Sequence, residues 1–158
     1  MATNEQEPTR GTRELFMMRA GEHLFAVFAE EVEGEAEGLT PTPLPNAPSS
    51  VVGVVSLRGR IRTALDPAQL FADTPTPQTS THAPRLFVAL RGDEQLALAC
   101  DAASERIEIA VADILPLTNA HAPAHGTVER SGARITLLDP ARLFEAAMRG
   151  IDRRRKRS

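Results

Sequence analysis

The sequence predicts a mainly β protein, two pseudo-equivalent small β-barrels with short helices, and three observations predict it. The segment from Gly53 to Phe71 aligns without a gap with the one from Gly126 to Phe144, closing on Asp66-Pro67-Ala68-Gln69-Leu70-Phe71 in one copy and Asp139-Pro140-Ala141-Arg142-Leu143-Phe144 in the other. Such self-similarity marks a duplicated structural unit. Apolar runs are short and punctuated by glycine turns, as in Leu24-Phe25-Ala26-Val27-Phe28 and Val51-Val52-Gly53-Val54-Val55-Ser56-Leu57, a length that suits strands. Finally, 158 residues with 42% hydrophobic and 25% charged side chains suffice for a core without staples.

Taken in order, residues 1–13 show no apolar periodicity and read as a flexible arm. Leu15-Phe16-Met17-Met18 and Leu24 to Phe28 flank Ala20-Gly21-Glu22, where glycine supplies the positive φ of a tight hairpin. Glu30 to Gly38 carries acids too densely for a buried element and reads as irregular surface, and Pro41, Pro43, Pro45 and Pro48 keep the next stretch extended. Val51 to Leu57 is apolar on both alternating faces, as in a buried barrel strand, and Arg58-Gly59 turns it into Arg60 to Leu65. Asp66 then caps a short helix over about 67–72, with Pro67 where a missing N–H leaves nothing unpaired.

The first half thus runs over 14–73. Prolines and short polar residues make 74–84 a linker, and the second half, 85–150, repeats the pattern. Leu86-Phe87 and Gly92 match Leu15-Phe16 and Gly21, and Asp139 caps a helix over about 140–149. Each copy reads as two hairpins joined by an irregular segment and closed by a helix. The expected core is Leu15, Phe25, Val27, Val52, Val54, Leu57, Leu65, Phe71, Leu86, Leu96, Leu98, Ile107, Leu138, Leu143 and Phe144, with Phe71 and Phe144 as its repeated anchors.

Composition narrows the function. The net charge is −3, but Arg153-Arg154-Arg155-Lys156-Arg157, within a basic tail at 151–158, concentrates five cations, leaving 13 basic against 21 acidic residues outside that five-residue run. An acidic body repels phosphate backbones, so no nucleic acid is expected as a partner beyond what the tail attracts. No run approaches the roughly 20 apolar residues of a membrane span, and the polar start is unlike a signal peptide, so a cytoplasmic protein is expected. One cysteine, Cys100, lies in an apolar run and can build neither a disulfide framework nor a cysteine zinc site. His121 and His125 are four apart, but Pro123 and Gly126 argue against the helix that would pair them on a metal. Asp66 and Asp139 have the look of an acid–base dyad; their equivalent repeat positions before proline favour two helix caps. No serine elbow or phosphate-cradling loop is present and the sole lysine is Lys156, so no enzyme and no cofactor is expected.

The run Leu44-Pro45-Asn46-Ala47-Pro48, then Val52-Gly53-Val54-Val55-Ser56-Leu57-Arg58-Gly59-Arg60-Ile61 and Leu65-Asp66, resembles the central signature of CheW-like chemotaxis coupling proteins. The resemblance takes in Leu15-Phe16, Gly21, Val32, Leu98-Ala99-Cys100-Asp101 and Ile107, and spans roughly 14–148. It implies two SH3-like five-stranded barrels on a shared core. It also implies a non-catalytic adaptor joining methyl-accepting chemoreceptors to a CheA-type histidine kinase, close to the membrane only through receptor arrays. Arg58, beside Gly59, matches the family's receptor-contacting arginine, and Val32 a valine on the kinase-facing side. Ser56 stands in place of the usual asparagine, Thr63 of a proline and Arg62 of an apolar residue. These departures keep open a divergent scaffold in a motility or gene-regulatory pathway, with a small β-barrel enzyme as the remaining alternative. The partner-binding set expected from the resemblance is Arg58, Gly59, Ser56 and Val32.

Overall fold

Ten strands and two short α-helices form among the residues that the structure, a computed structural model, describes: 11–71, 86–92, 95–101, 105–117 and 122–147. The strands are β1 (Thr12–Ala20), β2 (His23–Phe28), β3 (Val32–Glu37), β4 (Val51–Leu57), β5 (Arg60–Leu65), β6 (Leu86–Leu90), β7 (Leu96–Cys100), β8 (Arg106–Ala110), β9 (Ala124–Arg130) and β10 (Ala133–Leu138). Helix α1 is Pro67–Leu70 and α2 covers 140–147. The expected linker 74–84, His121, residues 148 and 149 of the helix expected over 140–149, and the basic tail lie outside the described residues.

Each half contributes five strands, but the halves are not the barrels. One five-stranded sheet has the order β8-β1-β2-β10-β9 and the other β3-β6-β7-β5-β4, so each draws strands from both copies. The exchange is made by two parallel contacts: β10 runs beside β2, with Thr136 opposite Phe25, and β5 beside β7, with Thr63 opposite Leu96. All other pairings are antiparallel. We refer to the two as barrel 1 and barrel 2.

Strand alternation feeds three cores. Leu15, Ala26, Ile107, Ile109, Val128, Ile135 and Leu137 fill barrel 1, and Val55, Leu57, Ala64, Phe87, Ala89, Ala97 and Ala99 fill barrel 2. Between them lies a shared core, with Phe16, Met18, Phe25 and Val27 from barrel 1 meeting Leu65, Leu86, Val88, Leu90, Leu96 and Leu98 from barrel 2. Strands β6 and β7 serve two cores at once and are buried along their whole length, as expected for strands covered on both faces.

The duplication is visible in the backbone. Thr42 and Val54 exchange N–H···O bonds of 2.8 and 2.9 Å, and Leu115 and Thr127 exchange two of 2.8 Å. A Cβ at Gly53 would collide with the Thr42 carbonyl, and one at Gly126 with that of Leu115, so glycine stands at both positions because a bridging strand crosses them. Asp66 Oδ1 accepts from Ala68 N at 3.0 Å and Asp139 Oδ1 from Ala141 N at 3.1 Å, which makes both carboxylates helix caps.

Several expectations need correction. β1 begins at Thr12, inside the stretch read as an arm, because Thr12 and Arg13 pair with Ala110 and Ile109. The acid-rich segment is not irregular: Val32–Glu37 is an edge strand paired with β6 except at a bulge at Glu33, and none of its residues is fully buried, so Glu35 and Glu37 face water. Helix α1 ends at Leu70, short of 72. Of the expected core, Val52, Val54 and Phe71 are only half-buried. Phe144 is exposed at 37%, because Leu143 and Ala147 are the α2 residues that face the shared core.

Candidate functional site

The two copies differ most usefully at one kind of place, the turn between the last two strands. Hairpin β9–β10 turns at Ser131-Gly132 and hairpin β4–β5 at Arg58-Gly59, and all four residues have positive φ, 53° and 83° in the first and 57° and 76° in the second. Two successive positive φ values are what a two-residue hairpin loop demands, since that turn's twist matches the strands. Glycine meets the demand freely; Arg58 meets it under strain, and so it is not there for the backbone's sake. The guanidinium stands at the tip, exposed, with no hydrogen bond or ion pair to any described residue.

The register follows from the turn. Leu57 pairs with Arg60, Ser56 with Ile61 and Val55 with Arg62. Val55 and Leu57 point into barrel 2, so Ser56 and Ile61 point out, and Ile61 is 67% exposed beside Arg58 and Arg60. Arg62 points in. Its side chain is 1% exposed, and barrel 2 has room for it because Ala64, Ala89, Ala97 and Ala99 are small. The equivalent position in barrel 1 is Ile135, an apolar core residue.

All three guanidinium nitrogens of Arg62 find acceptors: Nε donates to Leu57 O at 3.1 Å, Nη1 to Leu90 O at 3.1 Å and Nη2 to Glu33 Oε1 at 2.8 Å. Glu33 is aimed at it by a bulge, for the β3–β6 register slips between Val32 and Gly34 and leaves Glu33 without a cross-strand partner. The hydrogen bond and charge of Arg62 hold the Glu33 carboxyl below the usual glutamate range. Arg62 thus ties the β4–β5 hairpin, β6 and β3 together at one end of barrel 2, a buried cation with an acceptor at each of its three nitrogens.

The structure brings the expected residues together unequally. Arg58 and Gly59 form the tip, and Ser56 lies exposed two residues before it. Val32 is on the neighbouring edge strand, two residues from the Gly34 that the Arg58 side chain overlies, but its own side chain packs against the shared core. Ile61, Glu33, Gly34 and Arg62 were not in the expected set. The signal that could have found Arg62 and Ile61 is register arithmetic: once Arg58-Gly59 is a two-residue turn, residue 62 must face inward with Val55.

Other reactive groups are elsewhere. His125 Nε2 is 3.9 Å from Asp139 Oδ1 and its ring 5.5 Å from that of Phe28, and among the described residues no three His, Cys, Asp or Glu side chains gather as metal ligands would. Cys100 is buried in the shared core, which pushes its thiol well above the usual range. Among the described residues no helix is long and apolar enough to cross a membrane.

Fold and tip together define a class: a small double-barrel β module in which one hairpin turn carries an exposed arginine and its counterpart does not. Known proteins sharpen this. A family model described as the CheW-like domain matches residues 14–148. The chemotaxis protein CheW of Rhizobium meliloti is 32% identical over 137 residues, covering 86% of this chain and 84% of the relative. The protein FrzA of Myxococcus xanthus is 32% identical over 147 residues, with 87% and 89% covered. The crystal structure of the scaffolding protein TtCheW from Thermoanaerobacter tengcongensis superposes with a TM-score of 0.65 at 20% identity, over 80% of this chain and 88% of that one, and shows the same fold. The chain belongs to the CheW-like domain family, the coupling adaptors of chemotaxis-type signalling.

Proposed function

We propose that this protein is a non-catalytic cytoplasmic adaptor that links a methyl-accepting chemoreceptor to a CheA-type histidine kinase, and that the β4–β5 tip is its receptor contact. The observation that carries the reading is the exposed Arg58, held at positive φ on a turn whose repeat counterpart is Ser131. An arginine at such a tip offers a planar head that forks onto a carboxylate or onto backbone carbonyls, and arginine is enriched among the residues that dominate interface energetics. Ile61 and Ser56 give it an apolar and a small polar flank. Val32, on the adjacent edge strand with its side chain against the shared core, belongs in this reading to the kinase-facing side that the family resemblance implies.

The test is assembly of a chemoreceptor cytoplasmic fragment with a CheA-type kinase, measured with wild-type protein and with Arg58→Ala. Folding stability should stay within about 0.5 kcal/mol, as for surface changes generally, while assembly weakens by more than about tenfold, roughly 1.4 kcal/mol. An Arg58→Ala protein that assembles at wild-type affinity overturns the assignment of the tip. Failure of the wild-type protein to join receptor and kinase overturns the adaptor role.

A further inference from the structure

Gly34 poses a question that the backbone does not answer. It lies within β3, where glycine weakens a strand, and its φ is outside the left-handed region, so any residue could adopt its conformation. What a side chain could not do is fit. A methyl group on Gly34 would lie 2.7 Å from Arg58 Cδ and 2.9 Å from Arg58 Cγ and Nε. The Arg58 stem is therefore laid flat across the Gly34 backbone, from the next hairpin onto the opposite edge of the same barrel.

The neighbours of this contact are those that fix it. Glu33, one residue before Gly34, is the bulged residue whose carboxylate holds Arg62, and Arg62 in turn holds the carbonyl of Leu57, one residue before Arg58. The two halves of the contact, β3 under the stem and the hairpin that bears it, are thus locked to each other through a single buried guanidinium. We propose that Gly34, with the Glu33–Arg62 pair, is a seat that positions the Arg58 side chain for partner binding: Gly34 supplies the bare backbone on which the stem rests and the ion pair sets its height. Arranging a flexible arginine before the partner arrives lowers the entropy lost on binding. The proposal rests on Arg58 being the contact residue; Gly34, Glu33 and Arg62 act through it and need not touch the partner.

The experiment is a double-mutant cycle of Gly34→Ala and Arg58→Ala, read in assembly of a chemoreceptor cytoplasmic fragment and a CheA-type kinase, with melting temperature and the Arg58 Nε–H resonance recorded in parallel. The atoms that the new methyl displaces belong to a flexible side chain, so Gly34→Ala should fold with a melting temperature close to wild type. It should shift the Arg58 resonance and weaken assembly at least fivefold. In the Arg58→Ala background it should change nothing further, because coupled sites are non-additive. Gly34→Ala with wild-type affinity, beside a weakened Arg58→Ala, overturns the seat and leaves the contact reading intact; an equal loss in both backgrounds also overturns the seat. Arg58→Ala at wild-type affinity overturns the contact reading and the seat with it. If Gly34→Ala melts below the assay temperature, Glu33→Gln takes its place in the cycle: coupling to Arg58→Ala supports the seat and additivity overturns it.

Discussion

Arg62 is the charged side chain that the described part of the molecule buries completely, and its three acceptors make it a strut. Removing it leaves two buried carbonyls and the Glu33 carboxylate unmatched, together with a void among alanines. Arg62→Ala should therefore lower stability by about 2–6 kcal/mol, chiefly from the two buried carbonyls left without a donor at roughly 1–3 kcal/mol each, as read from denaturant midpoints. Glu33 supplies a pH signature. Its folded pKa is depressed, so its contribution is fully present above the unfolded glutamate value of about 4.3 and is lost as pH falls through the lower folded value. Glu33→Gln should flatten the acid limb of a stability–pH profile. Glu31, whose carboxyl is raised chiefly by burial, works the other way, gaining stability as pH falls from its folded value. Composition shows neither effect: Arg62 stands out in the sequence only as a departure from an apolar position, and its burial follows when the register is counted from the Arg58-Gly59 turn.

The hairpins and caps were legible because their chemistry is local. Gly21 at φ 65°, the Arg58-Gly59 turn and the Asp66 and Asp139 caps were all readable from adjacent residues. β3 was not legible, since Val32–Glu37 pairs through its backbone to β6 in the other half of the chain, and the residues it packs inward, Val32 and Ala36, are too small a signal among three glutamates. The repeated phenylalanines mark the limit of reading a repeat. Phe71 packs on Phe25 with ring centroids 5.7 Å apart and joins the shared core, whereas Phe144 stays exposed on α2. Full burial of a phenylalanine is worth about 3–5 kcal/mol on truncation, so half-buried Phe71→Ala should lose roughly 2 kcal/mol. Phe144→Ala should lose under about 1 kcal/mol. Thermal melts of the two variants check the order.

For the whole molecule, duplication was legible and the exchange of strands was not. The sequence pattern says that two like units exist, while the parallel contacts β2–β10 and β5–β7 that build each barrel from both units join residues far apart in the chain. Neither half can close a barrel alone. Fragments cut within 74–84 should each lack cooperative unfolding by circular dichroism, and mixing them should restore a single transition. A fragment that melts cooperatively on its own would mean that the halves fold before they exchange.

The exchange also sets a schedule for synthesis. Strand β2 gains its outer neighbour only when β10 has been made, and β1 gains its own only with β8. Roughly a hundred residues separate β2 from β10, so at about 5–20 residues per second the first hairpin waits on the order of 5–20 s with both edges unpaired. In that interval Arg13, Glu14 and Arg19 along β1 are what discourages a neighbouring nascent chain from adding a strand of its own.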